Sequence, residues 1–261
     1  KLLTGVRDQD RRPGEFRQVQ NAIGEQGRPP EEARYVPPPV AQMTQALSDF
    51  EFFLHESTEL PFLIKLALVH YQFEAIHPFL DGNGRIGRLL LSLLICDQNY
   101  LTQPLLYLSG FFEKHRDRYI DALLRVSQVG DWAGWVSFML TGVRETSKWT
   151  LASIIQLNEM IDDAAHLSRS KMKSGNSREL IDLIFKHPYC KIGHLVDAGI
   201  AGRVTASRYL NQLEELGILT SIQIHRDKYF INTAIMRSLD VPAPASMNLT
   251  SNARLSITRI Q

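Results

Sequence analysis

One stretch of twelve residues concentrates the reactive side chains of this sequence: His77-Pro78-Phe79-Leu80-Asp81-Gly82-Asn83-Gly84-Arg85-Ile86-Gly87-Arg88. Gly82 and Gly84 permit positive φ and a close approach of ligand to backbone. The stretch runs into a helix at about Gly84–Arg85. A helix start offers unpaired N–H groups and a partial positive charge, which suit an anion. Arg85 and Arg88, three residues apart on that helix, add two guanidinium forks whose geometry matches phosphate oxygens. Asp81 supplies one carboxylate beside the phosphates, the ligand pattern of Mg²⁺. A neutral imidazole at His77 could take a proton from an attacking hydroxyl. Each part alone has a blander reading: a turn histidine, a loose Gly-x-Gly, two solvated arginines. Their coincidence points to a catalytic phosphate site, with transfer driven by positioning and charge neutralisation.

The elements around this loop read as helices. Met43, Leu47, Phe50 and Leu54 recur at helical steps from Gln42 onward. A second helix is expected from Pro61, at its first position, through Phe62, Leu66, Val69, Phe73 and Ile76. It should end near His77, because the residue before Pro78 is pushed from helical geometry. Arg85–Asp97 is apolar almost all round, which predicts a central, buried helix. Glu113–Val126 reads as amphipathic, with Tyr119, Ile120, Leu123 and Leu124 inward. Asp131 can cap the next helix, which carries Trp132, Trp135, Met139 and Leu140 and continues with breaks toward Leu167. Upstream, Glu15–Ile23 and Arg34–Val36 around Gly24 and Gly27–Pro30 predict a β-hairpin flap, with an irregular loop as the rival reading.

After the polar linker Lys171–Ser177 the pattern changes. Helices are expected at Glu179–Phe185, Lys191–Ala198 and Thr205–Leu216, then strands at Ile218–Ile224 and Lys228–Ile231 around a His225-Arg226-Asp227 turn. That order is a winged helix-turn-helix. The expected division is 1–167 for the helical domain, 168–235 for the winged helix, and 236–261 for a weakly ordered tail. Residues 168–235 hold ten Lys/Arg against six Asp/Glu. Thr205, Ser207, Arg208, Asn211 and Gln212 on the third helix, with Arg226 and Lys228 at the wing, are candidate nucleic-acid contacts, although such modules also serve protein association.

Composition sets limits. Of 261 residues, 29 are Lys or Arg and 28 Asp or Glu, so no global field recruits nucleic acid or anionic membrane. The longest apolar run, Leu89–Cys96, is too short to span a membrane, and no secretory signal is visible. Cys96 and Cys190 are too few for a zinc cluster and suit small buried side chains in a reduced cytoplasm. A start at Lys1 reads as a fragment or processed product.

The twelve-residue segment agrees at every fixed position with H-P-F-x-x-G-N-G-R-x-x-R, the signature of the Fic (filamentation induced by cAMP) family, and residues 1–145 resemble that family more broadly. Pro13-Gly14-Glu15-Phe16-Arg17, Val19–Ile23 and Val36-Pro37-Pro38-Pro39 look like its flap region, and Pro104–Ser109, Arg118-Tyr119 and Asp131-Trp132 like its later helices. The resemblance implies a mainly α fold, a Fic-type helical domain with a small β-hairpin flap followed by the winged helix. It also implies a protein adenylyltransferase that moves AMP from ATP to a Ser, Thr or Tyr hydroxyl and releases pyrophosphate. His77 would be the base and Asp81 the Mg²⁺ ligand. Gly82, Asn83 and Gly84 would form the anion nest, with Asn83 and Arg85 counted beside His77 as catalytic. Arg85 would hold the β-phosphate region and Arg88 the γ-phosphate, with Gly87 also in the nucleotide set. Phe79 would anchor the loop. Tyr119 and Ile120 would line the adenine pocket under Ile23 and Gly24 of the flap, where a target strand adds by main-chain pairing.

Gly82 and Arg85 stand where phosphate-transferring Doc-type relatives carry Ala and Lys, which places this sequence on the nucleotidyl-transfer side. The family's inhibitory S/T-x-x-x-E-G/N helix has no full match: Ser109–Glu113 has the spacing but ends in Lys114. Such an element could lie upstream of Lys1, on another chain, or be absent. Rival expectations are a nucleotide-sensing DNA-binding regulator and an enzyme that also removes AMP. Homodimerisation stays open.

Overall fold

The computed structural model describes residues 14–24, 32–56, 59–175 and 177–238. The chain divides into two compact units, Lys1–Thr150 and Leu151–Gln261. The Gly27–Pro30 turn, Pro13 and the tail beyond Ser238 lie outside the described residues. Among the described residues no helix is long and apolar enough to cross a membrane.

In the first unit, α1 (Val40–His55) leads to α2 (Phe62–Ile76), α3 (Asn83–Asp97), α4 (Leu108–Lys114), α5 (Arg116–Val129) and the start of α6 (Trp132–Lys171). Pro61 is the N-cap of α2, one position before the expected one, and its carbonyl accepts from the amides of Ile64 and Lys65. The buried helix is α2, and α3 is not. On α2, Leu66, Ala67, Val69, His70, Tyr71, Phe73 and Ile76 are all buried, which covers most of its circumference. On α3 the buried set is Asn83, Gly87, Leu91 and Ile95, a single stripe at four-residue steps, and Leu89 and Leu93 are 40% and 57% exposed. Apolarity all round α3 therefore does not mean burial all round. Packing partners decide that, and they lie on one side only.

The core of this unit gathers Leu66, Ala67, Leu91, Ile95, Phe112, Trp135 and Met139. Fully burying the larger of these side chains contributes roughly 1.5–3 kcal/mol each. Trp135 donates its indole N–H to the Ala67 carbonyl at 2.8 Å, so the polar atom enters the core paired. His115, with φ −114° and ψ 35°, separates α4 from α5 where one helix was expected. Asp131 caps α6 by accepting the Gly134 amide at 2.9 Å. Helix α6 runs unbroken for 40 residues, without the breaks expected from its sequence. Among the described residues the flap shows one antiparallel bridge, Ile23 with Tyr35, with N to O distances of 2.8 and 3.1 Å.

The second unit contains the rest of α6, then α7 (Arg178–Lys186), β1 (Tyr189–Cys190), α8 (Ile192–Asp197), α9 (Arg203–Glu215), β2 (Thr220–Ile224), β3 (Asp227–Ile231) and α10 (Thr233–Ser238). Ser177 caps α7 by accepting from the Leu180 amide. The strands form an antiparallel sheet in the order β1-β3-β2, with Tyr189 opposite Ile231 and Ser221 opposite Phe230. Two residues are too short to show alternation, which is why β1 escapes a pattern reading. The core joins Leu180, Ile184, Leu195, Leu210, Leu213 and Phe230. Both cysteines are free; Cys190 is buried, which pushes its thiol up to about 11, and Cys96 is only partly buried.

Candidate functional site

The loop after α2 is shaped by four local devices. His77 caps α2 in the left-handed region, φ 49° and ψ 60°, with its amide on the Phe73 carbonyl at 3.1 Å. A non-glycine residue in that region stores about 1–2 kcal/mol, so surrounding contacts must hold it. Gly82 follows at φ 86° and caps α3; its carbonyl accepts from the amides of Arg85 and Ile86. Of the two motif glycines only Gly82 needs positive φ. Gly84 lies in ordinary helix, where an added Cβ would sit 3.0 Å from an Arg88 nitrogen.

Asn83, 1% exposed, uses its side chain on the loop itself. Its Oδ1 accepts the Phe79 amide at 2.9 Å and its Nδ2 donates to the Phe79 carbonyl at 2.8 Å. What Asn83 can offer a ligand is therefore its backbone N–H. With the Gly84 amide it heads the 15-residue helix α3, where N–H groups have no intrahelical acceptor.

Asp81 accepts the Gly82 amide on Oδ1 at 2.8 Å and faces Arg85 across 3.7 Å from Oδ2. Among the described residues no group of three or more His, Cys, Asp or Glu could hold a metal. A single carboxylate beside an anion site fits a hard cation shared with phosphate oxygens, not a cage made by protein alone.

The His77 ring is set by a backbone contact: Nδ1 lies 3.2 Å from the Glu74 carbonyl. A carbonyl only accepts, so this bond requires the proton on Nδ1 and leaves Nε2 as proton acceptor. Burial lowers the pKa of the ring. The Glu74 carbonyl and Asp81 oppose that, and the charge on Arg17 adds to it.

His77 opens onto a cavity of about 400 Å³, lined by Ile23, Gly24, Arg34 and Tyr35 of the flap, Tyr71, Glu74 and Ala75 of α2, and Arg116, Asp117, Tyr119, Ile120, Leu123 and Leu124 of α5. The structure thus brings Ile23, Gly24, His77, Tyr119 and Ile120 to one cavity. Asp81, Gly82, Asn83, Gly84, Arg85 and Arg88 stand outside its lining, on the loop and helix start beyond His77. Gly87 does neither. It is buried against α2, where an added Cβ would meet a Glu74 carboxylate oxygen at 2.5 Å, Phe73 at 3.1 Å and His70 at 3.3 Å.

Two titratable groups beside this cavity carry no motif signal. Glu74 has a buried Oε1 without a hydrogen-bond partner, and burial pushes its carboxyl up to about 7 against the pull of Arg88. His70 bonds the Tyr119 hydroxyl through Nε2 at 3.0 Å, and burial, then the Arg88 charge, bring it down to about 3. Glu74 precedes His77 by three residues, so helical spacing places it near the site. That spacing is the signal that could have found it.

In the second unit the candidate nucleic-acid contacts are divided. Arg226 is exposed at the strand turn, and Arg208 is exposed but donates to Ser174 at 3.3 Å. Thr205 and Ser207 are half-buried on α9. Lys228 binds Asn211 and Glu214, both at 2.9 Å, and so is tied to α9. Gln212 keeps its Oε1 buried.

Residues 1–95 match the Fic/DOC family, and residues 160–235 match the C-terminal domain of SoFic-like protein adenylyltransferases. Protein adenylyltransferase Fic of Culex quinquefasciatus is 33% identical over 130 residues, 48% of this chain and 22% of that protein. The probable protein adenylyltransferase of Aquifex aeolicus is 31% identical over 91 residues, 35% of this chain and 26% of its own. The chain therefore spans about a quarter of the length of these curated relatives. A solved Fic family protein from Desulfovibrio desulfuricans G20 covers 88% of this chain and 65% of its own, at 21% identity and a TM-score of 0.49.

Proposed function

We propose that this chain, which matches the Fic/DOC family over residues 1–95 and the SoFic-like C-terminal domain over 160–235, is a Fic-type protein adenylyltransferase. It would transfer AMP from ATP to a Ser, Thr or Tyr hydroxyl of a protein and release pyrophosphate. The observation that carries this reading is the contact of His77 Nδ1 with the Glu74 carbonyl, which leaves Nε2 as the proton acceptor on a residue that lines the cavity and precedes the amide-bearing start of α3 by six positions.

In the transfer, Nε2 of His77 removes the proton of the target hydroxyl. The hydroxyl oxygen bonds to the α-phosphorus as the bond from that phosphorus to the β-bridging oxygen breaks. The amides of Asn83 and Gly84, with Arg85 and Arg88, bind the charge that develops on the departing pyrophosphate. Asp81 is the carboxylate that would hold Mg²⁺, which would supply neutralisation of phosphate charge. Tyr119, Ile120, Ile23 and Gly24 would enclose the base. The target would pair with the flap as an added strand, which aligns its hydroxyl through main-chain bonds. The second unit, read as a winged helix, has Arg208 and Arg226 exposed for an anionic partner.

Incubation with α-labelled ATP and Mg²⁺ tests the reading. Label on protein that disappears in His77→Ala is expected. Absence of label on any protein, or label that survives His77→Ala, overturns it.

A further inference from the structure

Arg17 is 1% exposed, the most deeply buried charged side chain described in the first unit. Its partners are backbone carbonyls: Nε donates to His77 at 3.1 Å, Nη1 to Val19 at 3.4 Å, and Nη2 to Pro38. Its own amide donates to Pro78 at 2.8 Å. One guanidinium therefore joins the start of the flap, the proline run before α1, and the His77-Pro78 peptide. No carboxylate neutralises it among the described residues, an arrangement that costs free energy on burial and would not be chosen for packing alone.

Other contacts already fasten the flap to the loop. Asn21 donates to the Phe79 carbonyl at 3.3 Å, Tyr35 donates to Ala75 at 3.0 Å, and the Phe16 and Phe79 rings lie 5.4 Å apart. Gln20 also donates to Pro37 at 2.8 Å. A neutral residue at position 17 would leave these in place. What it would remove is the bond that orients the His77 carbonyl, at the residue held in left-handed geometry.

We propose that Arg17 is a positioning residue of the transfer site, holding the His77-Pro78 peptide so that the imidazole meets its substrate, and keeping a positive charge beside the ring. That charge disfavours a second one on His77 and so supports the neutral base. The other charged or titratable groups that share the cavity with His77 or act on it are Tyr71 and Glu74 of α2, Asp81 of the loop, Arg34 and Tyr35 of the flap, and Arg116, Asp117 and Tyr119 of α5. Arg17 does not line the cavity, so its effect should fall on the chemical step and leave nucleotide binding alone.

The inference rests on the proposed transfer activity for its kinetic part only. Arg17→Lys and Arg17→Met are compared with wild type by kcat, KM for ATP, thermal unfolding, and NMR titration of the His77 ring without nucleotide. Arg17→Lys retains the charge but loses the fork. It should lose kcat on the order of 10²-fold with KM for ATP within about twofold, and leave the His77 titration unmoved. Arg17→Met should lose kcat similarly and shift the His77 titration to higher pH. Faster exchange of the His77 and Phe79 amides is expected in both. Wild-type kcat in folded Arg17→Lys, a rise in KM with kcat unchanged, or an unmoved His77 titration in folded Arg17→Met each overturns the inference. If Arg17→Met does not fold, Arg17→Lys still decides. If wild type transfers no AMP, the proposed function fails, while ring titration and amide exchange still judge Arg17.

Discussion

Replacing Glu74 by Gln should stabilise the protein, by an amount that grows as pH rises above 4.5 and levels off above about 7. The carboxyl titrates at 4.5 in an unfolded chain and about 7 in the fold, because burial penalises its charged form more than Arg88 rewards it. A group whose folded pKa is raised contributes fully below its unfolded value and loses that contribution as pH rises through the folded one. Wild type therefore forfeits stability between pH 4.5 and about 7. At roughly 1.4 kcal/mol per pH unit this amounts to about 3 kcal/mol. Glu74→Gln removes the ionisation, so it should match wild type near pH 4 and exceed it by up to about 3 kcal/mol at pH 8. For a unit of this size that is on the order of 5–10 °C in Tm. His70 titrates oppositely: held neutral down to about 3, it contributes fully above 6.5 and loses its contribution as pH falls. The wild-type profile is then a composite, and the difference between wild type and variant isolates Glu74. Urea or thermal unfolding at pH 4, 6 and 8 measures it. A difference that does not change with pH, or a variant less stable than wild type at pH 8, refutes the reasoning.

Gly87→Ala should destabilise the fold by about 1–3 kcal/mol, since the new methyl meets Glu74, Phe73 and His70 within 3.3 Å; a Tm equal to wild type would contradict that. Trp135→Phe leaves the buried Ala67 carbonyl without its 2.8 Å donor and should cost about 1–3 kcal/mol, read by denaturant midpoint. The acid limb of the proposed AMP transfer should have its midpoint below 6.5, because burial depresses His77, and a midpoint above 6.5 in the pH–rate profile would exclude the assigned environment.

The reach of sequence reasoning follows the range of the forces involved. The end of α2 before Pro78, the turn at Gly82 and the cap at Asp131 depend on neighbours a few residues away, and each was legible. So was the pairing of His77 with Tyr119 and Ile120, although that came through family resemblance and not through spacing. The burial of α2 in place of α3 was not legible, because an apolar surface does not state what packs on it. The motif asparagine shows the same limit: its type suggested an anion contact, and its side chain closes the loop on Phe79.

By itself the sequence determined the end of α2, the turn at Gly82 and most of the order of helices. These follow from backbone preferences of Pro and Gly and from helical periodicity, which are properties of the local chain. Tertiary structure alone decided that Arg17 is a buried cation on the His77 carbonyl, that Glu74 holds an unpartnered acceptor, and that Lys228 is tied to α9. The state of a charge depends on desolvation and on partners contributed by distant segments, and only the packed fold specifies either.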